Sequence, residues 1–159
     1  MCDCDMEYIY KEHAKTVYKY MLSLTCDESL AEELTQETFY RAVYSIDSYD
    51  GSCKISVWLC SIAKHIWYKE LDRRAKYKTE ELREDISTNQ SPEFLAILSG
   101  EKIALFKAVH ALEETSKEVV LMRLSGELSF AEIGEVMGKN ENWARTTFYR
   151  AKIKIREAL

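Results

Sequence analysis

Three groups of residues have types and spacings that could do chemistry. Near the end of the chain, Asn142, Arg145, Tyr149, Lys152 and Arg156 recur at helical spacing and form one polar stripe. Arginine and asparagine can fork onto base edges, lysine can meet a phosphate, and an aromatic ring can stack or touch a thymine methyl. In the middle of the chain, Lys64, Lys69, Arg73, Arg74, Lys76 and Lys78 stand against only Glu70 and Asp72, with His65, Trp67, Tyr68 and Tyr77 interleaved. Cations that track phosphates and rings that stack on unpaired bases suit single-stranded nucleic acid. Upstream the sign reverses: between Cys26 and Asp50 lie Asp27, Glu28, Glu32, Glu33, Glu37, Asp47 and Asp50, against Arg41 alone. That stretch would repel DNA, whereas its Gln36, Glu37, Phe39 and Tyr40 edge suits a protein partner carrying complementary basic groups.

Catalytic and metal chemistries find little support. The three histidines lie far apart, and there is neither a glycine-rich phosphate loop nor a Ser-His-Asp arrangement. The five cysteines, Cys2, Cys4, Cys26, Cys53 and Cys60, are an odd number at no metal-ligand spacing, so reduced, structurally incidental thiols are expected, with no metal site, cofactor or small-molecule substrate.

The elements that must position these groups can be read from local signals. Ser129-Phe130-Ala131-Glu132 is a capping box and starts a helix whose apolar stripe is Phe130, Ile133 and Met137. Gly138 allows a sharp exit, Asn140 can cap the next helix, and Ala144, Phe148, Ala151 and Ile155 give that helix a buried face. The result is a helix-turn-helix. Thr115-Ser116-Lys117-Glu118 reads as a second capping box, opening a helix that packs Val119, Val120, Met122 and Leu124 and ends at Gly126. At the other end, Tyr10, Ala14, Val17, Met21 and Leu24 form the seam of a first helix, with His13 beside it at the surface or boundary. Asp27 caps a second helix that turns Ala31, Leu34, Thr38 and Ala42 inward and Glu33, Glu37, Arg41 and Tyr44 outward. A loop rich in turn formers, Ile46 to Lys54, leads to a third helix from about Ile55 to Tyr77, buried through Ile55, Leu59, Ile62 and Ile66, with Trp58 read as core. Thr79 to Ser99, which contains the only proline, Pro92, reads mostly as a linker, and helicity resumes in the Phe94 to Glu114 region.

Composition bounds these readings. The 159 residues are 47% hydrophobic, low in glycine and free of alternating β-branched runs, which predicts an all-α protein. A net charge of −5 argues against nonspecific DNA binding by the whole molecule, so any DNA contact must be local or assisted by a partner. No stretch reaches the roughly 20 apolar residues of a membrane span, and the acidic start lacks a signal peptide's pattern, which makes the cytoplasm the expected location.

Two nucleic-acid surfaces, an acidic docking helix and a linker in this order resemble a bacterial sigma factor of the extracytoplasmic-function group of the sigma-70 family. Leu30-Ala31-Glu32-Glu33-Leu34-Thr35-Gln36-Glu37-Thr38-Phe39, preceded by Asp27, resembles the helix that docks on the clamp helices of the polymerase beta-prime subunit. Trp58-Leu59-Cys60-Ser61-Ile62-Ala63-Lys64-His65 resembles the start of the helix that reads and opens the minus-10 element. Leu128 to Gly134, continuing through Arg150-Ala151-Lys152, resembles the domain that reads the minus-35 element.

The resemblance implies two small helical domains joined by a flexible linker: residues 1–78 for docking and the minus-10 element, 79–99 as linker, and 100–159 for the minus-35 element. It implies polymerase contacts at Glu33, Gln36, Glu37, Phe39 and Tyr40, and minus-10 contacts at Asp50, Ser52, Lys54, Lys64, His65, Tyr68, Lys69, Arg73 and Arg74. Minus-35 contacts fall at Asn142, Trp143, Arg145, Thr146, Tyr149, Arg150 and Lys152, although Asn142, Trp143 and Thr147 depart from residues common in the family. The Asp47 to Ser52 loop falls where related factors capture a flipped base. The implied activity is promoter-specific initiation, not catalysis. Its implied partners are core RNA polymerase through the beta-prime clamp helices and the beta flap, promoter DNA, and an anti-sigma factor, often membrane-anchored. A helix-turn-helix regulator that acts without docking on core polymerase is the alternative.

Overall fold

The computed structural model of the chain describes residues 3–80, 96 and 99–159, with side chains over 5–77, 96 and 99–159. The described residues form seven long helices and one short 3-10 turn: α1 (Asp3–Thr25), α2 (Glu28–Ser45), the turn Ile46–Ser48, α3 (Ile55–Glu80), α4 (Gly100–His110), α5 (Glu114–Leu124), α6 (Phe130–Met137) and α7 (Glu141–Ala158). The linker reading over 79–99 and the Cys2-Asp3-Cys4 pair fall largely outside the described residues.

The first three helices pack as a unit. Val17, Tyr20, Met21 and Leu24 of α1 are buried against Ala31, Leu34, Thr38, Phe39 and Ala42 of α2 and against Leu59, Ala63, Ile66 and Trp67 of α3. Each large apolar side chain taken out of water contributes roughly 1.5–3 kcal/mol before the entropy of ordering is charged against it. The break between α1 and α2 is tight. Cys26 takes a left-handed backbone (φ 56°) and donates its amide to the Leu22 carbonyl at 2.9 Å, and the Asp27 side chain then accepts from the Leu30 amide at 3.0 Å, capping α2.

The last four helices form the second unit, with Val119, Met122, Leu128, Ile133, Ala144 and Ala151 fully or almost fully buried. The two units abut: α3 packs on α6, α1 packs on α5, and the buried residues of both form one cluster.

Tyr10, expected in the buried seam of α1, is 50% exposed near the start of that helix, and further sequence expectations need correction. Phe39, expected on an exposed edge, is only 6% exposed and packs its ring on Tyr10 at 4.9 Å. The Phe39 position faces inward because it follows Thr35 and Thr38 around the helix onto the buried side. Leu124, expected in the core, is 63% exposed at the last residue of α5. The Thr115 to Glu118 capping box does not form: α5 starts at Glu114, Glu113 at its N-cap makes no side-chain bond, and Glu118 is fully buried with a partner elsewhere.

Candidate nucleic-acid interface

The helix-turn-helix is built as its local signals predict. Ser129 and Glu132 make both bonds of the capping box, at 3.2 and 2.7 Å; Gly138 sits in the left-handed region (φ 65°); and the Asn140 side chain accepts from the Trp143 amide at 2.7 Å. Each device satisfies backbone groups that a helix end would otherwise leave unpaired. These devices fix the entry angle of α7. Its Ala144 and Ala151 are buried, Phe148 and Ile155 are half-buried, and Asn142, Arg145, Thr146, Tyr149, Arg150, Lys152 and Arg156 are exposed. Trp143 differs from its neighbours on the expected contact surface, being half-buried and packed against the core.

Phe130 is a residue the sequence reading assigned only to the apolar stripe. The guanidinium groups of Arg123 and Arg145 lie over its ring at 5.0 and 5.4 Å, and the rings of Phe148 and Tyr149 pack against it at 5.4 and 6.2 Å. Cation–π attraction thus holds Arg145 along the surface of α7, with Glu141 one turn back as its ion-pair partner. Aromatic residues one turn from an arginine are the signal that could have found this arrangement.

On α3 the basic residues sort into two sets. Arg73 and Arg74 both converge on Glu70, which accepts from Arg73 Nε and Nη2 at 2.9 and 2.7 Å and from Arg74 Nε at 2.9 Å. Those bonds, Arg73's first, hold the Glu70 carboxyl below its ordinary pKa despite its burial. The i,i+3 and i,i+4 spacing makes this anchor legible in sequence, where Glu70 was counted only as an opposing charge. Arg74 also lies over the Trp67 ring at 5.9 Å, and Trp67 is only 4% exposed, so it is core rather than a stacking platform. The other set faces the second unit. Lys64 Nζ donates to the Val136 carbonyl at 3.2 Å, the Tyr68 hydroxyl donates to Glu118 Oε2 at 2.6 Å, and Lys54, just before α3, pairs with Glu132 at 3.0 Å. His65 and Lys69 are exposed, with His65 Nδ1 on the Ser61 carbonyl at 2.6 Å.

The loop before α3 is ordered by its own bonds. Asp50 accepts from the Ser52 amide at 2.9 Å and, with the Ser52 hydroxyl, is held below the usual carboxylate range; Gly51 takes φ 74°. The Tyr49 hydroxyl donates to the Cys53 carbonyl, and its ring packs on Trp58 at 5.1 Å, so Trp58 is half-buried under the loop rather than within the core.

On α2, Glu33, Gln36 and Tyr40 are exposed and Glu37 is ion-paired with Arg41 at 2.6 Å. These five residues and Lys69, Glu70 and Arg73 of α3 line a groove of about 580 Å³, which brings the acidic edge and the basic end of α3 side by side. Burial pushes the Cys26 and Cys60 thiols up to about 12, which makes them poor nucleophiles at neutral pH. Among the described residues no group of three or more potential ligands could hold a metal ion.

Residues 9–77 match the family model of sigma-70 region 2, and residues 102–155 match that of sigma-70, region 4. The chain is 33% identical over 147 residues to the extracytoplasmic-function RNA polymerase sigma factor BldN of Streptomyces coelicolor, an alignment that covers 90% of this chain but only 56% of that factor. It is 26% identical to the RNA polymerase sigma factor YlaC of Bacillus subtilis, over 96% of this chain and 90% of that one. Among solved structures, the sigma factor RpoE of Bartonella quintana, determined in complex with the anti-sigma factor NepR, shares the fold with a TM-score of 0.77 at 17% identity, over 97% of this chain and 96% of that one.

Proposed function

The chain belongs to the extracytoplasmic-function group of the sigma-70 family of RNA polymerase sigma factors, and on that premise we propose that it docks on core RNA polymerase and directs initiation at specific promoters, under the control of an anti-sigma factor. Residues 1–78 are the docking and minus-10 domain, 79–99 the linker, and 100–159 the minus-35 domain. Glu33, Gln36, Glu37 and Tyr40 meet the clamp helices of the beta-prime subunit, and Phe39 supports them from beneath. Asp50, Ser52, Lys54, Lys64, His65, Tyr68, Lys69, Arg73 and Arg74 serve the minus-10 element. Arg145, Thr146, Tyr149 and Arg150, flanked by Asn142, Trp143 and Lys152, serve the minus-35 element.

The observation that carries this reading is the helix-turn-helix: two capped helices about a left-handed glycine, with the exposed side of the second rich in groups that can bond bases and phosphates. It sits on a chain of net charge −5, which loses affinity for DNA unless polymerase supplies the missing attraction. Among the described residues no helix is long and apolar enough to cross a membrane, in keeping with action beside the polymerase in the cytoplasm.

Run-off transcription with bacterial core polymerase, with and without this chain, on promoters of its host is the test. Initiation at specific sites that is lost with Glu37→Lys and with Arg150→Ala is the expected result. Retained specific duplex binding without any binding to core polymerase would replace this reading with that of an ordinary helix-turn-helix regulator.

A further inference from the structure

Three helices leave part of one face around a cavity. On α4, Lys102, Leu105, Phe106 and Val109 follow one another at helical spacing and therefore share a side of that helix. Lys19 and Leu22 do the same on α1, as do Leu121 and Leu124 on α5. Together these sides bound about 410 Å³, within the range of small-molecule sites. Because α1 belongs to the first unit and α4 and α5 to the second, the cavity exists only where the two units meet.

Its wall is apolar. Val109 and Leu121 are buried, Leu22 and Phe106 are half-buried, and Leu105 and Leu124 are 44% and 63% exposed. The two exposed leucines lose contact with water once a chain fills the space beside them. Ser23, which also lines the cavity, spends its polar groups within the protein: its hydroxyl donates to the Tyr20 carbonyl at 2.6 Å, and its carbonyl accepts from His110 Nε2 at 2.9 Å, which ties α4 to α1. An alkyl chain asks for no hydrogen bonds, so this wall suits it better than a polar ligand.

The charges are of one sign. Lys19 and Lys102 are the charged residues of the lining, and among the described residues no carboxylate joins them there. Lysine lays its aliphatic stem along apolar surface and keeps its ammonium in water, which puts a cation where an amphiphile's head would emerge. The Glu127 carboxylate lies 3.8 Å from Lys19, with both side chains about half exposed or more, so it is a weak competitor for an incoming anion.

We propose that this cavity is a binding site for a single-chain fatty acid, with the alkyl chain among Leu22, Phe106, Val109 and Leu121 and the carboxylate at Lys19 and Lys102. A ligand held by walls from both units stabilises their packing, because it binds the packed chain and not the parted one. The site does not depend on the function proposed above.

Calorimetric titration of the full-length chain with dodecanoate, kept below its micelle concentration, tests the proposal. Saturable binding of one molecule per chain is expected, weakening about fourfold for each methylene removed in decanoate and octanoate. Dodecyltrimethylammonium, with the same chain and the opposite charge, is expected not to bind. Lys19→Glu combined with Lys102→Glu should lower dodecanoate affinity about tenfold, the scale of two exposed charge contacts reversed. Leu124→Gln, at an exposed position, should lower it several-fold. A dodecanoate with a diazirine at its tail should, on illumination, label peptides that contain Leu22 or Leu121. Absence of saturable binding, equal binding of the cationic amphiphile, or label confined to α7 overturns the proposal. The chain-length, head-group and labelling experiments use the unaltered chain, so they decide the matter even where a variant fails to fold.

Discussion

Tyr68→Phe isolates the bond between the two units with a change of one oxygen atom. In the wild type, Tyr68 is, among the described residues, the one hydrogen-bond partner of the buried Glu118 carboxylate, whose second oxygen has none there. Removing the hydroxyl leaves a fully buried carboxylate with neither oxygen bonded. An unsatisfied buried group costs about 1–3 kcal/mol, and more when it is charged, so a loss of about 2 kcal/mol is expected at pH 7, limited by the ability of Glu118 to take up a proton or of the units to part. The sign of the pH dependence follows from the causes of the Glu118 shift. Burial raises its folded-state pKa, so the folded protein binds this proton more tightly than the unfolded chain, and this term stabilises the fold as pH falls from neutral towards the ordinary carboxyl value. The Tyr68 bond is one of the interactions that lower that pKa, and its removal raises the pKa further. The variant thus gains more from acidification than the wild type. Urea denaturation followed by circular dichroism at pH 7 and pH 5.5 should give a gap that is largest at pH 7 and shrinks at pH 5.5. A variant as stable as wild type at pH 7, or a gap that widens with acid, would refute the reasoning.

Three further outcomes follow from the described geometry. Gly138→Ala forces a side chain into a left-handed position and should cost about 1 kcal/mol in denaturation midpoint measurements, with weaker promoter binding because the entry angle of α7 changes. Glu70→Gln should destabilise by about 1 kcal/mol at pH 7 through the partly buried Arg74 bond; because the Glu70 pKa is lowered in the fold, the wild type's advantage holds at neutral pH and fades below the ordinary carboxyl value, as urea titrations across that range would reveal. Phe130→Leu keeps an apolar residue but removes the ring that orients Arg145. A double-mutant cycle with Arg145→Ala on promoter affinity should return a coupling of about 0.5–1 kcal/mol, and strict additivity would refute the positioning role.

The contrast between Glu132 and Glu118 explains what the sequence made legible. Both stand three residues after a serine or threonine, and the same pattern assigned both to capping boxes. At Ser129 the pattern holds because every partner lies within three residues, so local geometry decides the outcome. At Thr115 a distant partner decides it instead: α5 begins two residues earlier, with Glu113 rather than Thr115 at its N-cap, and the carboxylate turns inward to a hydroxyl on α3. Phe39 and Leu124 failed for a related reason, since periodicity gives the direction of a side chain but not which neighbour covers it. The inward face of α2 and the turn of the helix-turn-helix were legible for the opposite reason, being fixed by spacing and by single residues such as Asp27, Gly138 and Asn140.

An acidic chain proposed to handle DNA has to manage its own cations. Of the basic residues assigned to the minus-10 surface, Arg73 and Arg74 are tied to Glu70, Lys54 to Glu132 and Lys64 to the end of α6, while Lys69 is exposed. Restraint of this kind lowers the attraction for arbitrary DNA, since each cation already satisfied within the protein releases fewer counterions on binding. The three ties differ in how they can be undone. Glu70 lies on the same helix as its two arginines, so that tie travels with α3 and orients the guanidinium groups whatever else moves. Glu132 and Val136 belong to the other unit, so those ties are lost together when the units separate.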